Sequence, residues 1–238
     1  MSQKIEKVLI TGATGYVADQ MLAFMKEQYE TVLVDTREVN RRGEPVEGVN
    51  IVDLIDPDRD QYSHLFEGVD AVIHLAYKRR SGDPLDHFND EKQNVEMAYN
   101  VFRSSYDAGV QRVVMASSNH AADWYEHALI HNGDLDIVRP YDLPLSDNFY
   151  GWAKATYEHM GFLFASGGMG EGGDGASSNA ATGNLLAGNL NTSRKMGVIM
   201  VRIGAPRDIQ TEMYKGKSAA YKRDLGAYIS PRDITVIS

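Results

Sequence analysis

Short apolar segments rich in β-branched residues recur along the chain, separated by longer segments of mixed polarity. The short segments predict six strands, at Val8–Ile10, Thr31–Asp35, Val49–Val52, Ala71–Leu75, Val113–Ala116 and Val198–Arg202. The longer segments predict helices at about Tyr16–Gln28, Tyr62–Phe66, Phe88–Gly109 and Tyr150–Ala165. Apolar strands that alternate with helices are typical of a parallel sheet covered on both faces. We therefore expect an α/β fold with a doubly wound parallel sheet.

The segment 167–193 interrupts this alternation because it consists mainly of Gly, Asn, Ser and Ala. It has too few large apolar side chains to offset the conformational entropy lost on ordering. We expect a flexible insertion, and a solvated surface loop is favoured over a lid on a functional site. Residues 1–238 as a whole are expected to form a single domain.

Composition removes several classes of function. The formal net charge of −9 argues against nucleic acid or an anionic membrane surface as a partner. The absence of cysteine excludes disulfides, thiolate metal sites and cysteine nucleophiles. No apolar run reaches 18 residues and no signal-peptide pattern is present, so we expect a cytoplasmic location. His127 and His131 have the spacing of a zinc-protease helix, but Ala128 stands where such a helix needs Glu, so no metal site is predicted.

A glycine-containing turn joins the first predicted strand to the first helix and reads TGATGYVA at 11–18. Gly12 permits a tight turn, Gly15 lets the backbone approach a pyrophosphate, and Ala18 allows close packing of helix and sheet. Asp35 ends the second strand, where a carboxylate can bind ribose hydroxyls and repel a 2′-phosphate. The pattern favours NAD over NADP, a preference that the nearby Arg37 would soften.

Two further segments carry groups suited to proton transfer. Tyr150 and Lys154 share a helix face, and a nearby ammonium is expected to lower the tyrosine pKa, so that the phenol can exchange a proton with a hydroxyl or carbonyl. SSNH, at 117–120, follows the fifth strand, at the edge where such sheets bind ligands. Taken alone, each segment also fits an ordinary role: two exposed helix residues, and a loop histidine bonded to backbone.

Taken together, the motifs resemble the extended short-chain dehydrogenases/reductases, the NAD-dependent epimerase/dehydratase superfamily, from about Lys7 to Asp233 apart from the insertion. They are TGATGYVA at 11–18, Asp35, HLAY at 74–77, Asn94, SSNH at 117–120, YGWAK at 150–154 and VRIGAPR at 201–207. The resemblance implies a Rossmann-type sheet and NAD as the cofactor. It implies Tyr150 as the acid/base, Lys154 as the residue that holds the nicotinamide ribose and lowers the tyrosine pKa, and Ser118 as the residue that binds the reacting oxygen.

The cofactor contacts expected from the motifs and the resemblance are spread over the carboxyl ends of the strands. They are Gly12, Thr14, Gly15, Tyr16, Val17, Asp35, Asp53, Leu54, Leu75, Ala76, Tyr77, Asn94 and Lys154. Asp53 fits an ordinary turn aspartate almost equally well.

Within the superfamily, SSNH followed by a VRIG strand is similar to uronate dehydrogenases and related sugar dehydrogenases, which oxidise a free hexuronate with NAD. The substrate contacts that this implies are Ser81, Ser117, Asn119, His120 and Arg202. Arg202 would bind a carboxylate through its planar guanidinium, and pairing with a local acid fits it equally well. The alternatives are a nucleotide-sugar epimerase or dehydratase and a non-catalytic dinucleotide-binding protein.

The chain departs from the superfamily pattern at two places. The loop at Lys78–Arg80 is unusually basic and fits either an anion site or a solvated loop. The Ser-x-x-Asp segment at 230–233 opens a helix in relatives, with further elements after it, so we expect residues 203–238 to form an incomplete substrate lobe. The resemblance also implies a homodimer paired through the helices near 88–109 and 150–165.

Overall fold

In the computed structural model, residues 4–166, 196–204, 215–217 and 233 are described. The predicted insertion at 167–193 lies outside these residues. So does the predicted C-terminal lobe, apart from the few described positions after Ile203.

Six parallel strands form one sheet, in agreement with the predicted fold class. The strands are β1 (Lys7–Thr11), β2 (Glu30–Asp35), β3 (Val49–Ile51), β4 (Ala71–His74), β5 (Arg112–Ser118) and β6 (Gly197–Ile203). Their order in the sheet is β3-β2-β1-β4-β5-β6. The chain therefore winds outward in one direction from β1 and then in the other from β4. This reversal opens a crevice at the carboxyl ends of β1 and β4, where doubly wound sheets bind their ligands.

The helices are α1 (Tyr16–Gln28), α2 (His87–Asp107), α3 (Asp123–Tyr125) and α4 (Phe149–Ser166). Short 3₁₀ turns occupy Arg59–Gln61, Ser63–Phe66, Pro84–Asp86 and Asn119–Ala122, and a π-helical turn spans Glu126–Ile130. The helix predicted at 62–66 is thus a 3₁₀ turn, because a segment this short gains too few α-helical bonds to offset nucleation. None of the helices in the described part of the chain is long and apolar enough to cross a bilayer.

Both faces of the sheet are buried, and alternate strand residues supply the two sides. Leu9 and Val113 face a cluster completed by α2 and α4, where Phe102 and Phe164 stack with ring centroids 5.2 Å apart. Ile10 belongs to the cluster on the opposite face, together with side chains of α1. Each fully buried apolar side chain of this size contributes about 1.5–3 kcal/mol relative to an exposed one. These two layers hold the strand ends rigidly in place.

Strand register places four polar residues, one from each of four strands, near the carboxyl edge of the sheet. Thr11 pairs with His74 between β1 and β4, and Ser117 pairs with Arg202 between β5 and β6. His74 is buried, and its Nδ1 lies 2.7 Å from the Thr11 hydroxyl. Burial, assisted by the charge of Lys154, lowers the pKa of His74 to about 3, so this ring is neutral at physiological pH.

Candidate active site

A cavity of about 870 Å³ runs along this edge of the sheet. Most of the residues singled out from the sequence line it. These are Gly12, Gly15, Tyr16, Val17, Asp35, Asp53, Leu54, Leu75, Ala76, Tyr77, Ser117, Ser118, Asn119, His120, Tyr150 and Lys154. The structure therefore brings the glycine turn, the acid after β2 and the Ser/Tyr/Lys set into one continuous space.

The glycine turn is packed so closely that its two glycines have no room for a side chain. Gly12 has a φ of +67°, and a Cβ there would lie 2.6 Å from the Ala76 amide nitrogen. A Cβ on Gly15 would lie 2.9 Å from the Gly12 carbonyl oxygen. The first turn of α1 follows directly and has no side-chain cap. Its N–H groups and partial positive charge therefore border the cavity, as a phosphate-binding turn requires.

Asp35 links this turn to the end of β2. Its Oδ2 accepts hydrogen bonds from the Thr14 amide (2.9 Å) and the Thr14 hydroxyl (2.7 Å), and its Oδ1 accepts one from the Thr36 amide (2.7 Å). Thr14 is buried behind the cavity wall and does not line it. It therefore orients the carboxylate, which leaves Asp35 facing the space where the sequence places a ribose.

Lys154 is buried beneath the catalytic end of the cavity. Its Nζ donates a hydrogen bond to the Ala116 carbonyl oxygen (2.8 Å) and lies 5.6 Å from the centroid of the Tyr150 ring. Burial lowers the pKa of Lys154 to about 8, although the carboxylate of Glu91 opposes the shift. The ammonium form still predominates at pH 7.

The pKa of Tyr150 moves in the direction opposite to the one predicted. Burial raises it, and a hydrogen bond with the Ser118 hydroxyl lowers it only in part. The net direction is upward because desolvation of the phenol outweighs the interactions that favour the phenolate. Ser118 and Tyr150 both line the cavity.

Tyr150 is enclosed by aromatic and cationic groups. The rings of Tyr77 and His120 both meet it edge-on, with centroids 5.4 Å away. The guanidinium carbon of Arg80 lies 5.3 Å from its ring centroid. The His120 ring is oriented by a hydrogen bond between its Nδ1 and the Asp123 carboxylate. These contacts restrict the orientations open to the phenol.

Glu91 is a buried carboxylate that sequence reasoning missed. Its Oε1 accepts a hydrogen bond from the Tyr77 hydroxyl (2.6 Å), and its Oε2 accepts one from the Asn94 amide nitrogen (3.2 Å). Arg80 Nε lies 3.6 Å from Oε1. Burial raises the pKa of Glu91, and these partners oppose the shift. Glu91 thus orients two of the groups that surround Tyr150.

Four predicted site residues do not line the cavity: Thr14, Ser81, Asn94 and Arg202. Asn94 holds the loop after β4, because its side chain accepts from the Lys78 amide (2.7 Å) and donates to the Lys78 carbonyl (2.9 Å). Ser81 is exposed, and its amide donates to Asp90 (2.8 Å). Neither residue is therefore placed to contact a ligand in the cavity directly.

Arg202 is paired with a local acid, one of the two interpretations left open by the sequence. Its Nε and Nη2 donate to the two carboxylate oxygens of Glu158, at 2.8 and 2.7 Å. The Ser117 hydroxyl donates to the same carboxylate at 2.7 Å. Glu158 was not singled out from the sequence, although it lies four residues after Lys154 on the same helix face.

At the opposite end of the cavity, Arg37 and Arg41 line the space beside Asp35, and the Arg41 guanidinium lies 5.3 Å from the Tyr16 ring centroid. Arg41 was also missed, because nothing in its local sequence marks it. In the described part of the chain, no group of three His, Asp or Glu side chains could hold a metal ion.

Comparison with known proteins gives consistent results. The model of the NAD-dependent epimerase/dehydratase family matches residues 8–166. The chain is 31% identical over 173 residues to an NAD-dependent glucose-6-phosphate dehydrogenase of Haloferax volcanii, covering 66% of this chain and 62% of that protein. It is 27% identical over 157 residues to a uronate dehydrogenase of Pseudomonas syringae pv. tomato, covering 65% of this chain and 52% of that protein. The chain thus spans between about half and three fifths of the length of these curated relatives.

A solved structure described as a mutated uronate dehydrogenase has the same fold. It superposes with a TM-score of 0.64 and 23% sequence identity, covering 96% of this chain and 66% of that one.

Proposed function

Because the chain belongs to the NAD-dependent epimerase/dehydratase family, we propose that it is a dehydrogenase that transfers a hydride from a C–OH group of a sugar or sugar acid to NAD. The observation that carries the proposal is the single cavity that joins the Gly12 turn and Asp35 to Ser118, Tyr150 and Lys154. A protein that only bound a dinucleotide would have no need for the last three together. Two curated relatives are named as sugar or sugar-acid dehydrogenases.

The cofactor end of the cavity fits NAD. The uncapped start of α1 suits a pyrophosphate, and Asp35 suits the adenosine ribose while disfavouring a 2′-phosphate. When bound, NAD supplies the hydride acceptor. The residues that we assign to cofactor binding through direct contact are Gly12, Gly15, Tyr16, Val17, Asp35, Asp53, Leu54, Leu75, Ala76, Tyr77 and Lys154. Thr14 and Asn94 act behind them as positioning residues.

At the other end, we assign the acid/base role to Tyr150. Its phenolate accepts the proton of the substrate hydroxyl and becomes the phenol, the carbon of that C–OH group gives its hydride to NAD, and the Ser118 hydroxyl hydrogen-bonds the same oxygen. Burial raises the pKa of Tyr150, so formation of the phenolate depends on nearby positive charge. Lys154 is the cation that we assign to this task, together with contact to the nicotinamide ribose.

Ser117, Asn119 and His120 are the substrate contacts that the geometry supports best, because all three line the cavity near Tyr150. Ser81 and Arg202 are assigned a supporting role, since neither lines the cavity and both are engaged with local carboxylates. The cytoplasmic location stays a prediction from the sequence.

We also propose that two copies of the chain pair through α2 and α4. Phe88, Phe149 and Trp152 contact one another on the outer surface of these helices and are each more than a third exposed. Exposed aromatic clusters of this kind are common at protein interfaces.

The experiment is to monitor NADH absorbance after adding NAD and a panel of free aldoses, hexuronates and hexose phosphates, with product analysis of nucleotide-sugar samples run alongside. We expect NADH to accumulate with at least one free sugar or sugar acid. If no NADH accumulates while a nucleotide sugar is converted to an epimer or dehydrated product, the chain is an epimerase or dehydratase. If no substrate is converted, the dehydrogenase proposal fails.

A further inference from the structure

The loop after β4 concentrates positive charge at the catalytic end of the cavity. Lys78, Arg79 and Arg80 are consecutive in a chain whose net charge is −9. Lys78 and Arg79 line the cavity, and the Arg80 guanidinium lies against the Tyr150 ring. The acids among the lining residues, Asp35 and Asp53, lie at the adenosine end. The loop therefore adds positive charge beside Tyr150, and the buried carboxylate of Glu91 offsets only part of it.

Contacts with other described residues leave part of this positive charge unpaired. The Lys78 ammonium donates to Gln93, whereas Arg79 has no hydrogen bond or ion pair with the described residues. Arg80 contacts Glu91 through Nε, and within the described ranges no hydrogen bond engages its terminal nitrogens. The terminal donors of both guanidinium groups are therefore available to a ligand, Arg79 lining the cavity and Arg80 lying beside it against the Tyr150 ring.

Arg80 is also held in a fixed position before any ligand arrives. The aromatic ring of Tyr150 lies beneath its guanidinium, and the buried Glu91 carboxylate lies 3.6 Å from Nε. A cation held over an aromatic ring keeps its outer N–H groups free to donate. Because less freedom is lost on binding, a guanidinium fixed in this way binds an anion more tightly than a mobile one.

Arg202, the residue expected from the sequence to bind a carboxylate, is less suited to that role. Both of its donor nitrogens in the ion pair are taken by Glu158, and that carboxylate also accepts from Ser117. A substrate carboxylate would have to displace this partly buried, bidentate partner and leave Glu158 without its cation.

We propose that Arg79 and Arg80 form the subsite for an anionic group, carboxylate or phosphate, on the sugar that is oxidised at Tyr150. The proposal rests on the proposed function. It adds to that function the charge of the substrate and the residues that bind the charged group. The planar guanidinium groups bind either anion through paired N–H donors. Neutral sugars lack this contact and are the poorer ligands.

Binding tests the subsite without turnover. In a Tyr150→Phe background, which keeps an aromatic ring beneath Arg80, the Kd values of glucose, glucuronate and glucose 6-phosphate are measured by calorimetry with saturating NAD. The three sugars share one ring and differ at C6, so comparison of the two anions also identifies the preferred one. Arg79→Gln and Arg80→Gln are added singly. Arg103→Gln on α2, where an exposed arginine pairs with Asp107, is the matched control.

We expect at least one anionic sugar to bind about tenfold or more tightly than glucose, as charge-assisted hydrogen bonds predict. Each loop variant should weaken binding of that anion by about tenfold and leave the Kd of glucose within about twofold, because glucose lacks the group that the arginines bind. Arg103→Gln should change none of the values.

Four results would overturn the subsite. The first is a preference for anions that persists in both loop variants, and the second is glucose binding as tightly as both anions. The third is that none of the three sugars binds. The fourth is that the loop variants weaken NADH binding in fluorescence titration but leave the Kd values of the sugars unchanged. The last result would assign the arginines to the cofactor pyrophosphate. With Tyr150 restored in the loop variants, formation of NADH from an anionic sugar that does not depend on the arginines would refute the subsite alone. Arginine-dependent anion binding by a chain that never forms NADH would refute the dehydrogenase alone.

Discussion

Tyr150 is the residue on which the chemistry of the cavity depends. Replacement of Tyr150 by Phe keeps the ring that contacts Tyr77, His120 and Arg80 but removes the hydroxyl. Loss of the acid/base group should lower kcat by about 10²–10⁴-fold. Steady-state NADH formation measures this effect, and NADH fluorescence titration should give a Kd close to that of the parent. A kcat within a few-fold of the parent would exclude Tyr150 as the acid/base.

Lys154 should make stability depend on pH. The pKa of Lys154 is about 8 in the folded chain, against an ordinary lysine value of 10.5 that applies when the chain is unfolded. Between these values the unfolded state binds more protons, so the free energy of unfolding rises with pH by up to about 1.4 kcal/mol per unit. Below pH 8 both states carry the proton and this contribution is flat.

Lys154→Met removes the titrating group and should abolish that rise while also removing activity. Urea unfolding at pH 7, 8, 9 and 10 compares the two chains, with Lys92→Met at an exposed position of α2 as the control. An identical slope for the parent and Lys154→Met would show that burial does not shift this lysine.

Sequence reasoning identified the residues whose spacing follows a known chemical pattern and missed those that support them. Tyr150 and Lys154 are four residues apart, and Ser118 ends a strand, so all three could be placed before the structure. Glu91 could have been suspected, because it shares a helix face with Asn94 and the buried Ala98. Its hydrogen bond to Tyr77 could not, since that contact depends on how α2 packs against the loop after β4.

At the scale of elements, α4 and the turn at Asn119–Ala122 meet through a glycine. A Cβ on Gly151 would lie 2.0 Å from the His120 carbonyl oxygen and 2.1 Å from the Ser146 hydroxyl oxygen. Such an approach leaves no room for a methyl group without moving backbone. The contact sets the position of Tyr150, the preceding residue of α4, relative to Ser118.

Gly151→Ala should therefore destabilise the fold by about 2 kcal/mol or more through overpacking, and lower kcat by displacing Tyr150. The matched control is Gly197→Ala at the start of β6, where a Cβ would lie 3.5 Å from the nearest atom, the Gln111 carbonyl oxygen, an ordinary contact. Urea unfolding and NADH formation are measured for both. Parent-like stability and kcat in Gly151→Ala would mean that α4 is not fixed by this contact.

The strands were predicted to within one or two residues because each is a short β-branched run between polar segments. The segment at Tyr62–Phe66 was not predicted correctly, since its 3₁₀ turn, at Ser63–Phe66, depends on tertiary contacts. The Tyr62 hydroxyl donates to the Asp56 carbonyl, and both Tyr62 and Phe66 are fully buried under α2. Local pattern alone does not distinguish such turns from a short α-helix.

At the scale of the molecule, the aromatic group of Phe88, Phe149 and Trp152 is the surface that we propose to bury in a dimer. Phe88 lies on α2 and the other two on α4, with ring centroids 5.5–6.4 Å apart. Two copies of a chain with a net charge of −9 repel each other. They pair at this face only if the free energy gained by burying the apolar rings exceeds that repulsion. Removal of the apolar contacts and addition of like charge should therefore dissociate the pair.

We expect the parent chain to have the mass of a dimer in light scattering coupled to size-exclusion chromatography, and Phe88→Asp with Trp152→Asp to have the mass of a monomer. Phe24→Asp on α1 is the control, because Phe24 is 43% exposed, as Phe88 is, but lies outside the aromatic group. Its mass should stay that of the parent. Since the three rings lie on the outer surface of helices whose inner faces support Tyr150, the monomeric variant should keep its fold by circular dichroism. A monomeric parent, or a dimer that survives both charges, would rule out this face as the interface.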